Sequence, residues 1–161
     1  MIHAEGASAV LVRTALREDV PAIVRLLADD ALGARRERVE NPVAPVYLEA
    51  FDDMARQSGN ELLVALKDDE VIGCLQLTII AGLSRAGVKR AQLEGVRVSA
   101  EHRGAKVGEQ LVSEAIARAR AAGCGLVQLT SDVSRVDARR FYERLGFKAT
   151  HIGMKMSIPI G

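Results

Sequence analysis

The chain has 161 residues, 48% of them hydrophobic and 27% charged, with 4 prolines and a formal net charge of +1. That length fits one compact domain over residues 1–161, and that balance excludes a disordered chain, a collagen-like repeat and a multidomain assembly. The aromatic set is Tyr47, Tyr142, Phe51, Phe141 and Phe147 with no Trp, too sparse for base-stacking platforms, and the near-neutral charge does not suit a nucleic-acid partner.

In chain order, Ala9 to Thr14 has strand character. Val20, Ile23, Val24 and Leu27 recur at helical spacing behind Glu18, Asp19 and Pro21, which predicts a helix reaching about Ala31. The charged stretch Gly33 to Pro45 reads as a connection, and Leu48, Phe51 and Met54 place a second helix over Val46 to Gln57. Two β-rich runs, Glu61 to Lys67 and Val71 to Ile80, flank Asp68, Asp69 and Glu70 in the pattern of a hairpin. After the loop Ala81 to Gly87, the run Ala91 to Val98 continues the meander. A long helix follows from about Gly104 to Ala122, with Val107, Leu111, Val112, Ala115, Ile116 and Ala119 on one stripe and Gly123 as its stop. Leu126 to Thr130 is a strand. Ser134 and Asp137 resemble a capping box opening a helix with Ala138, Phe141, Tyr142 and Leu145 on its apolar face. Phe147 to Ile158 supplies one or two closing strands. Together these elements predict an α/β chain of α+β type, with a mixed, mostly antiparallel central sheet of six to seven strands flanked by about four helices.

Cys74 and Cys124 lie in apolar runs without a second Cys or His at metal spacing, so they read as core residues in a reducing compartment, and no metal site is expected. No apolar run reaches the ~18 residues of a membrane span, and the N-terminus has no secretory signal pattern, which places the protein in the cytoplasm with no membrane partner. Charge is divided along the chain: residues 1–80 hold 14 acidic against 8 basic side chains, residues 81–161 hold 7 against 14. Such blocks mark either where ligands of opposite charge approach or two differently solvated faces.

The chemistry concentrates in Glu94-Gly-Val-Arg-Val-Ser-Ala-Glu-His-Arg103-Gly-Ala-Lys-Val-Gly108. A strand running into a glycine turn at a helix start leaves backbone N–H groups open, and the helix dipole adds partial positive charge there. Phosphate binding is one reading of this turn; a tight connection with solvated Arg103 and Lys106 is the other. The run is neither a P-loop nor a dinucleotide fingerprint, and metalloprotease, α/β-hydrolase and Cys-x-x-Cys motifs are absent from the sequence. His3, His102 and His151 stand alone and read as surface or structural residues.

These residues resemble the GNAT superfamily of acetyl-CoA-dependent N-acetyltransferases. Glu94-Gly-Val-Arg-Val-x5-Arg103-Gly-x-x-Val-Gly108 is similar to its motif A and Asp137-Ala-Arg-Arg-Phe-Tyr-Glu-Arg-Leu-Gly-Phe147 to its motif B, with a strand between them. The resemblance implies acetyl-CoA as cosubstrate, with its pyrophosphate on the backbone of Arg103, Gly104, Ala105, Lys106, Val107 and Gly108 and its pantetheine arm against Val96, Arg97 and Val98. It also implies direct attack by a small primary amine and a possible homodimer. Two departures stand out: Lys106 occupies a position where the family usually has a third glycine, and Arg135 replaces an Asn common seven residues before the motif B tyrosine, leaving Arg135 without a role.

An alkylamine with a pKa of ~10.4 is almost wholly charged at pH 7, so a base is needed. In an unbulged strand Glu94 shares a face with Gln92, Val96 and Val98, where an apolar setting favours proton uptake; the resembling family often has a bulge at this point, which changes the alternation, and a strand Glu is also read as a simple rim salt-bridge partner. Tyr142 matches the motif B tyrosine that the family uses on the leaving thiolate, and it is equally a core residue of its helix. For the acceptor, Asp29, Asp30, Glu37, Glu40, Asp52 and Asp53 favour a cationic amine. Asp137-Ala-x-Arg140-Phe-Tyr is also similar to a branch containing aminoalkylphosphonate acetyltransferases, whose acceptor would call for arginines. A non-catalytic acyl-CoA-binding module and an acetyltransferase of protein or peptide amines are the alternatives.

Overall fold

The computed structural model describes residues 9–160, so His3 lies outside the described range. Among the described residues, five strands, β1 (Leu11–Thr14), β2 (Asn60–Lys67), β3 (Glu70–Ile80), β4 (Lys89–Val98) and β5 (Cys124–Leu129), form one sheet in the order β1-β2-β3-β4-β5. The first four are antiparallel neighbours and β4 and β5 run parallel, as their helical crossover requires. The helices are α1 (Val20–Ala28), α2 (Pro45–Arg56), α3 (Ser84–Gly87), α4 (Val107–Ala121) and α5 (Val136–Arg144).

The sheet therefore has five strands, not six or seven. Residues 149–160 join no ladder, and Ile152, Met154, Met156 and Ile158 stay exposed. Alternation decides which side chains share a face, but a strand also needs a neighbouring edge in line with it; at Gly153 this segment passes the Thr130 side chain without joining the ladder. The fifth helix is the four-residue α3, in the stretch read as a loop; Arg85 and Ala86 there have φ of 55° and 57°, a left-handed conformation that side-chain preferences disfavour. Helix α1 stops at Ala28 rather than near Ala31, because the Asp30 carboxylate accepts the Gly33 N–H at 2.5 Å and turns the chain. Nor does a capping box open α5: the Ser134 hydroxyl donates to Asp132 at 2.6 Å instead.

Alternation along β2, β3 and β4 divides the core between two sheet faces. On one, Leu63, Leu75, Leu77 and Leu93 pack against Leu111, Val112, Ala115 and Ala119 of α4. On the other, Val64 and Cys74 lie beneath Ile23 and Leu26 of α1. Burial pushes the Cys74 thiol up to about 12, which leaves it unreactive at neutral pH. Asp19, at the start of α1, is buried; burial alone would raise its pKa, but hydrogen bonds from Arg13 (2.7 and 3.1 Å) and from the Leu16 N–H (2.6 Å), with the Arg13 charge, hold it below the usual carboxylate range.

Truncating Leu111 to Ala is expected to cost about 2–5 kcal/mol in denaturant unfolding, since the side chain has no solvent exposure and lies under the whole sheet. The depressed Asp19 pKa contributes stability that is present above the unfolded value of ~3.9 and lost as pH falls through the folded one. Asp19→Asn should therefore flatten the loss of stability below pH ~4, measured by urea midpoints across that window.

Candidate functional site

The site begins with a break in the sheet. The β3–β4 ladder pairs Gln76 with Glu94 and next Cys74 with Arg97, so two residues of β4, Gly95 and Val96, face the single residue Leu75. This is a β-bulge, and Gly95 at φ 58° supplies the left-handed residue it needs. Pairing of β4 with β5 ends at Leu93, just before the bulge. Past that point the strands part, and a cleft of about 350 Å³ opens, lined by Val96, Arg97 and Val98 on one side and Ser134 and Arg135 on the other.

The mouth of the cleft is Arg103, four residues before α4. Gly104 and Lys106 adopt φ of 84° and 62°, and no side chain caps α4. The first amides of a helix have no intrahelical acceptor, so the N–H groups of Val107, Gly108 and Glu109 are open to an anion and carry the positive end of the dipole, while Gln110 already donates to the Lys106 carbonyl at 3.0 Å. The two glycines serve different ends. A Cβ at Gly104 would meet nothing within 4 Å, so its glycine meets a conformational need; a Cβ at Gly108 would lie 3.1 Å from the Phe141 ring, so that glycine lets α5 close on α4.

That closure sets Tyr142. Its half-buried ring packs edge-on against Phe141 and Phe147, with centroids 5.1 and 5.8 Å away. Burial raises the Tyr142 pKa, while the charges of Arg135 and Arg97 pull it down by less. The hydroxyl is therefore protonated at neutral pH and lies within the field of both guanidinium groups.

The bulge also changes where Glu94 lies. Directly opposed residues of an antiparallel pair share a face, so Glu94 lies with Gln76, Cys74 and Arg97 on the α1 side. Val96 and Val98 pack with the α4 core instead. The unbulged alternation, which would group Glu94 with Val96 and Val98, is thus corrected. Glu94 is exposed rather than enclosed by apolar side chains.

Each of the six carboxylates considered for the acceptor end has a side-chain partner. Asp52 pairs with Arg17 at 3.1 Å, Asp53 with Arg56, and Glu40 with Arg38 at 3.9 Å, while the Tyr47 hydroxyl donates to Glu37 at 2.8 Å. Asp29 pairs with Arg103 at 3.8 Å, and Asp30 stands 3.5 Å from both Arg97 and Arg135. Among the described residues, no group of three or more His, Cys, Asp or Glu is arranged to hold a metal, and no helix is long and apolar enough to cross a membrane. His102 and His151 bond to Ser99 and Thr150, each at 2.7 Å.

A bulged strand parting from its parallel neighbour beside an uncapped helix start matches what the two sequence motifs imply, and a family model for the GNAT acetyltransferases covers residues 22–147. The chain belongs to the GNAT acetyltransferase family. A Bacillus halodurans protein described as a transcriptional regulator is 47% identical, with a TM-score of 0.91 over 93% of this GNAT chain and 100% of the other. An aminoalkylphosphonate N-acetyltransferase of Salmonella typhimurium is 36% identical over 88 residues, 55% of this chain and 56% of that relative. The match thus spans little more than half of that relative's length. A glucosamine 6-phosphate N-acetyltransferase of Trypanosoma brucei brucei is 29% identical over 119 residues, 73% of this chain and 79% of the relative.

Of the residues singled out in the sequence, Val96, Arg97, Val98 and Arg103 line one cleft, Gly104 to Gly108 form the turn and helix start at its mouth, and Tyr142 lies within the field of its arginines. Five further residues line the cleft, Asp30, Ala31, Leu32, Ser134 and Arg135. The signal for Arg135 was its departure from the family pattern just before α5; nothing in the sequence ties Asp30 to it across 105 positions. Because Gly104 answers a conformational need and Gly108 a packing need, Gly104→Ala is expected to cost about 1 kcal/mol and Gly108→Ala about 1–3 kcal/mol in denaturant unfolding. A larger loss for the Gly104 variant would contradict these two roles.

Proposed function

We propose that this GNAT protein moves an acetyl group from acetyl-CoA to a small primary amine by direct attack within a ternary complex. The observation that carries the reading is the Gly95 bulge, which leaves Val96, Arg97 and Val98 beyond the end of the β4–β5 ladder and beside an uncapped helix. In this reading the pantetheine arm pairs with the main chain of Val96 to Val98. The pyrophosphate lies on the turn from Arg103 to Gly108, on the amides of Gly104, Lys106, Val107 and Gly108, since those of Arg103 and Ala105 already donate to the Ala100 and His102 carbonyls at 3.4 and 3.3 Å. The family's acyl donor is acetyl-CoA.

Glu94 accepts the proton of the incoming ammonium and, being exposed, passes it to water. The neutral nitrogen attacks the thioester carbonyl carbon; the C–N bond forms, the C–S bond breaks, and the Tyr142 hydroxyl gives its proton to the departing sulfur. The raised pKa of Tyr142 keeps that proton available. The names of the Salmonella and Trypanosoma relatives both denote N-acetyltransferases acting on amines, which supports an amine acceptor. The name of the Bacillus protein suggests DNA, but a net charge of +1 lends that no support, since DNA binding relies on neutralising phosphates.

Release of free thiol from acetyl-CoA with a panel of small amines tests the reaction. No release on any amine, with acetyl-CoA still bound in calorimetry, would favour a non-catalytic acyl-CoA-binding module, and release only with peptides a protein acetyltransferase. Tyr142→Phe keeps the ring packing and removes the hydroxyl, so kcat should fall about 10²- to 10⁴-fold with acetyl-CoA affinity kept. Glu94→Gln should lower kcat on the same scale, and an unchanged turnover in either variant would remove that residue from the mechanism.

A further inference from the structure

We propose that Arg97 and Arg135 form an anion subsite for the acceptor, so that the amine acetylated here carries its own phosphonate or phosphate group. This rests on the N-acetyltransferase reading and adds the acceptor's chemical class to it. The two arginines reach the cleft from different elements, Arg97 from β4 beyond the bulge and Arg135 from the residue preceding α5. They share one carboxylate oxygen, Asp30 Oδ2, at 3.5 Å from each. That oxygen and Arg97 Nε are both buried without a hydrogen-bond partner. Two guanidinium groups thus face one carboxylate, and the Asp30 charge is fixed: the Gly33 N–H bond holds its pKa down, outweighing burial with help from Arg97, Arg135 and the Leu32 N–H. At the mouth of the cleft, Arg103 is offset by Asp29.

A guanidinium has five N–H donors in a planar fork suited to the oxygens of a tetrahedral anion. Arg97 uses Nη1 on the Val96 carbonyl at 3.0 Å, and its contact with Asp30 is an ion pair without a hydrogen bond. Donors therefore remain for a ligand. Arg135 is held in place beforehand: its own N–H donates to the Asp132 carbonyl at 2.9 Å, and the Ser134 N–H and hydroxyl donate to the Asp132 carboxylate at 3.0 and 2.6 Å.

The bulge supplies the spacing. Glu94 and Arg97 lie on one face, three residues apart along β4, a separation of at most ~10 Å in a strand. An amine at Glu94 and an oxyanion at Arg97 are therefore ends of one short molecule. Of the six carboxylates that would have made a cationic-acceptor site, Glu37, Glu40, Asp52 and Asp53 are engaged away from the cleft, and Asp29 and Asp30 are paired with the cleft's own arginines. An acceptor with a neutral tail would leave the excess guanidinium charge without a partner in a half-buried cleft, which disfavours it.

Coenzyme A also carries phosphates, so the test separates the two sources. Methylphosphonate is titrated calorimetrically into the enzyme saturated with coenzyme A, with wild type and Arg135→Gln compared and folding of the variant checked by circular dichroism. Binding to the saturated wild type, weakened ~10-fold or more in Arg135→Gln, is expected. No binding, or binding that coenzyme A abolishes, would overturn the proposal. In thiol release, the ratio of kcat/KM for 2-aminoethylphosphonate to that for propylamine should fall ~10-fold or more in Arg135→Gln and recover partly in Arg135→Lys. A ratio unchanged within about twofold, or a matching rise in the KM for acetyl-CoA, would overturn it as well. If no amine releases thiol, the acetyltransferase reading fails while the methylphosphonate titration still decides the subsite.

Discussion

The site depends on one irregular residue in the middle of the sheet. Gly95, at a positive φ, lets two residues of β4 oppose one of β3, and β4 stops pairing with β5 just before it. Had the ladder continued, the β4 edge from Val96 to Val98 would be covered and no cleft would exist. The break is tolerated because the other side of β4 stays bonded to β3 through Cys74 and Gly73, while both sheet faces remain covered by α1 and α4. A rigid, fully buried centre therefore carries an opening at one end.

The bulge also sorts chemistry by face. It turns Val96 and Val98 toward the α4 core and Arg97 toward α1, on the side where Glu94 lies. A bound thioester arm would then rest on an apolar wall that includes the Tyr142 ring, with Glu94 and Arg97 on the opposite face. Tyr142 completes the arrangement from α5, which reaches the cleft because Gly108 leaves room for Phe141. Glycines at 95 and 108 thus act on the same site from two elements, one through backbone conformation and the other through space.

Much of this was legible in the sequence because it is local. The period of apolar residues located the elements, the run from Arg103 to Gly108 located the turn, and Tyr142 followed from motif B. What escaped was non-local or depended on partners. The alternation Ile152, Met154, Met156, Ile158 reads as a strand, yet pairing requires an edge that periodicity does not report. The face of Glu94 relative to Val96 and Val98 hangs on whether β4 is bulged, which alternation alone does not decide, because a one-residue bulge inverts every side chain beyond it. The acidic N-terminal half suggested an electronegative pocket, but six of its carboxylates each found an arginine or a tyrosine hydroxyl once the chain folded.

That last point bears on how charge should be read in this family. Formal charge counted along a chain describes a solvated surface only if the charges remain unpaired after folding. Here Asp30 belongs to the acidic half and Arg97 and Arg135 to the basic half, and the fold brings all three into one cleft. Neither half alone sets the potential there: Arg97 and Arg135 share Asp30, Arg103 is paired with Asp29, and Arg135 also feels the Asp132 carboxylate. A lone pair of arginines would repel, and a one-to-one pairing would cancel. Two against one at Asp30, with that carboxylate kept ionised by the Gly33 amide, leaves guanidinium charge that acts on Tyr142 as well. In such a cleft the arrangement that would select an anionic acceptor would equally favour negative charge developing on the sulfur of a thioester, were one cleaved there.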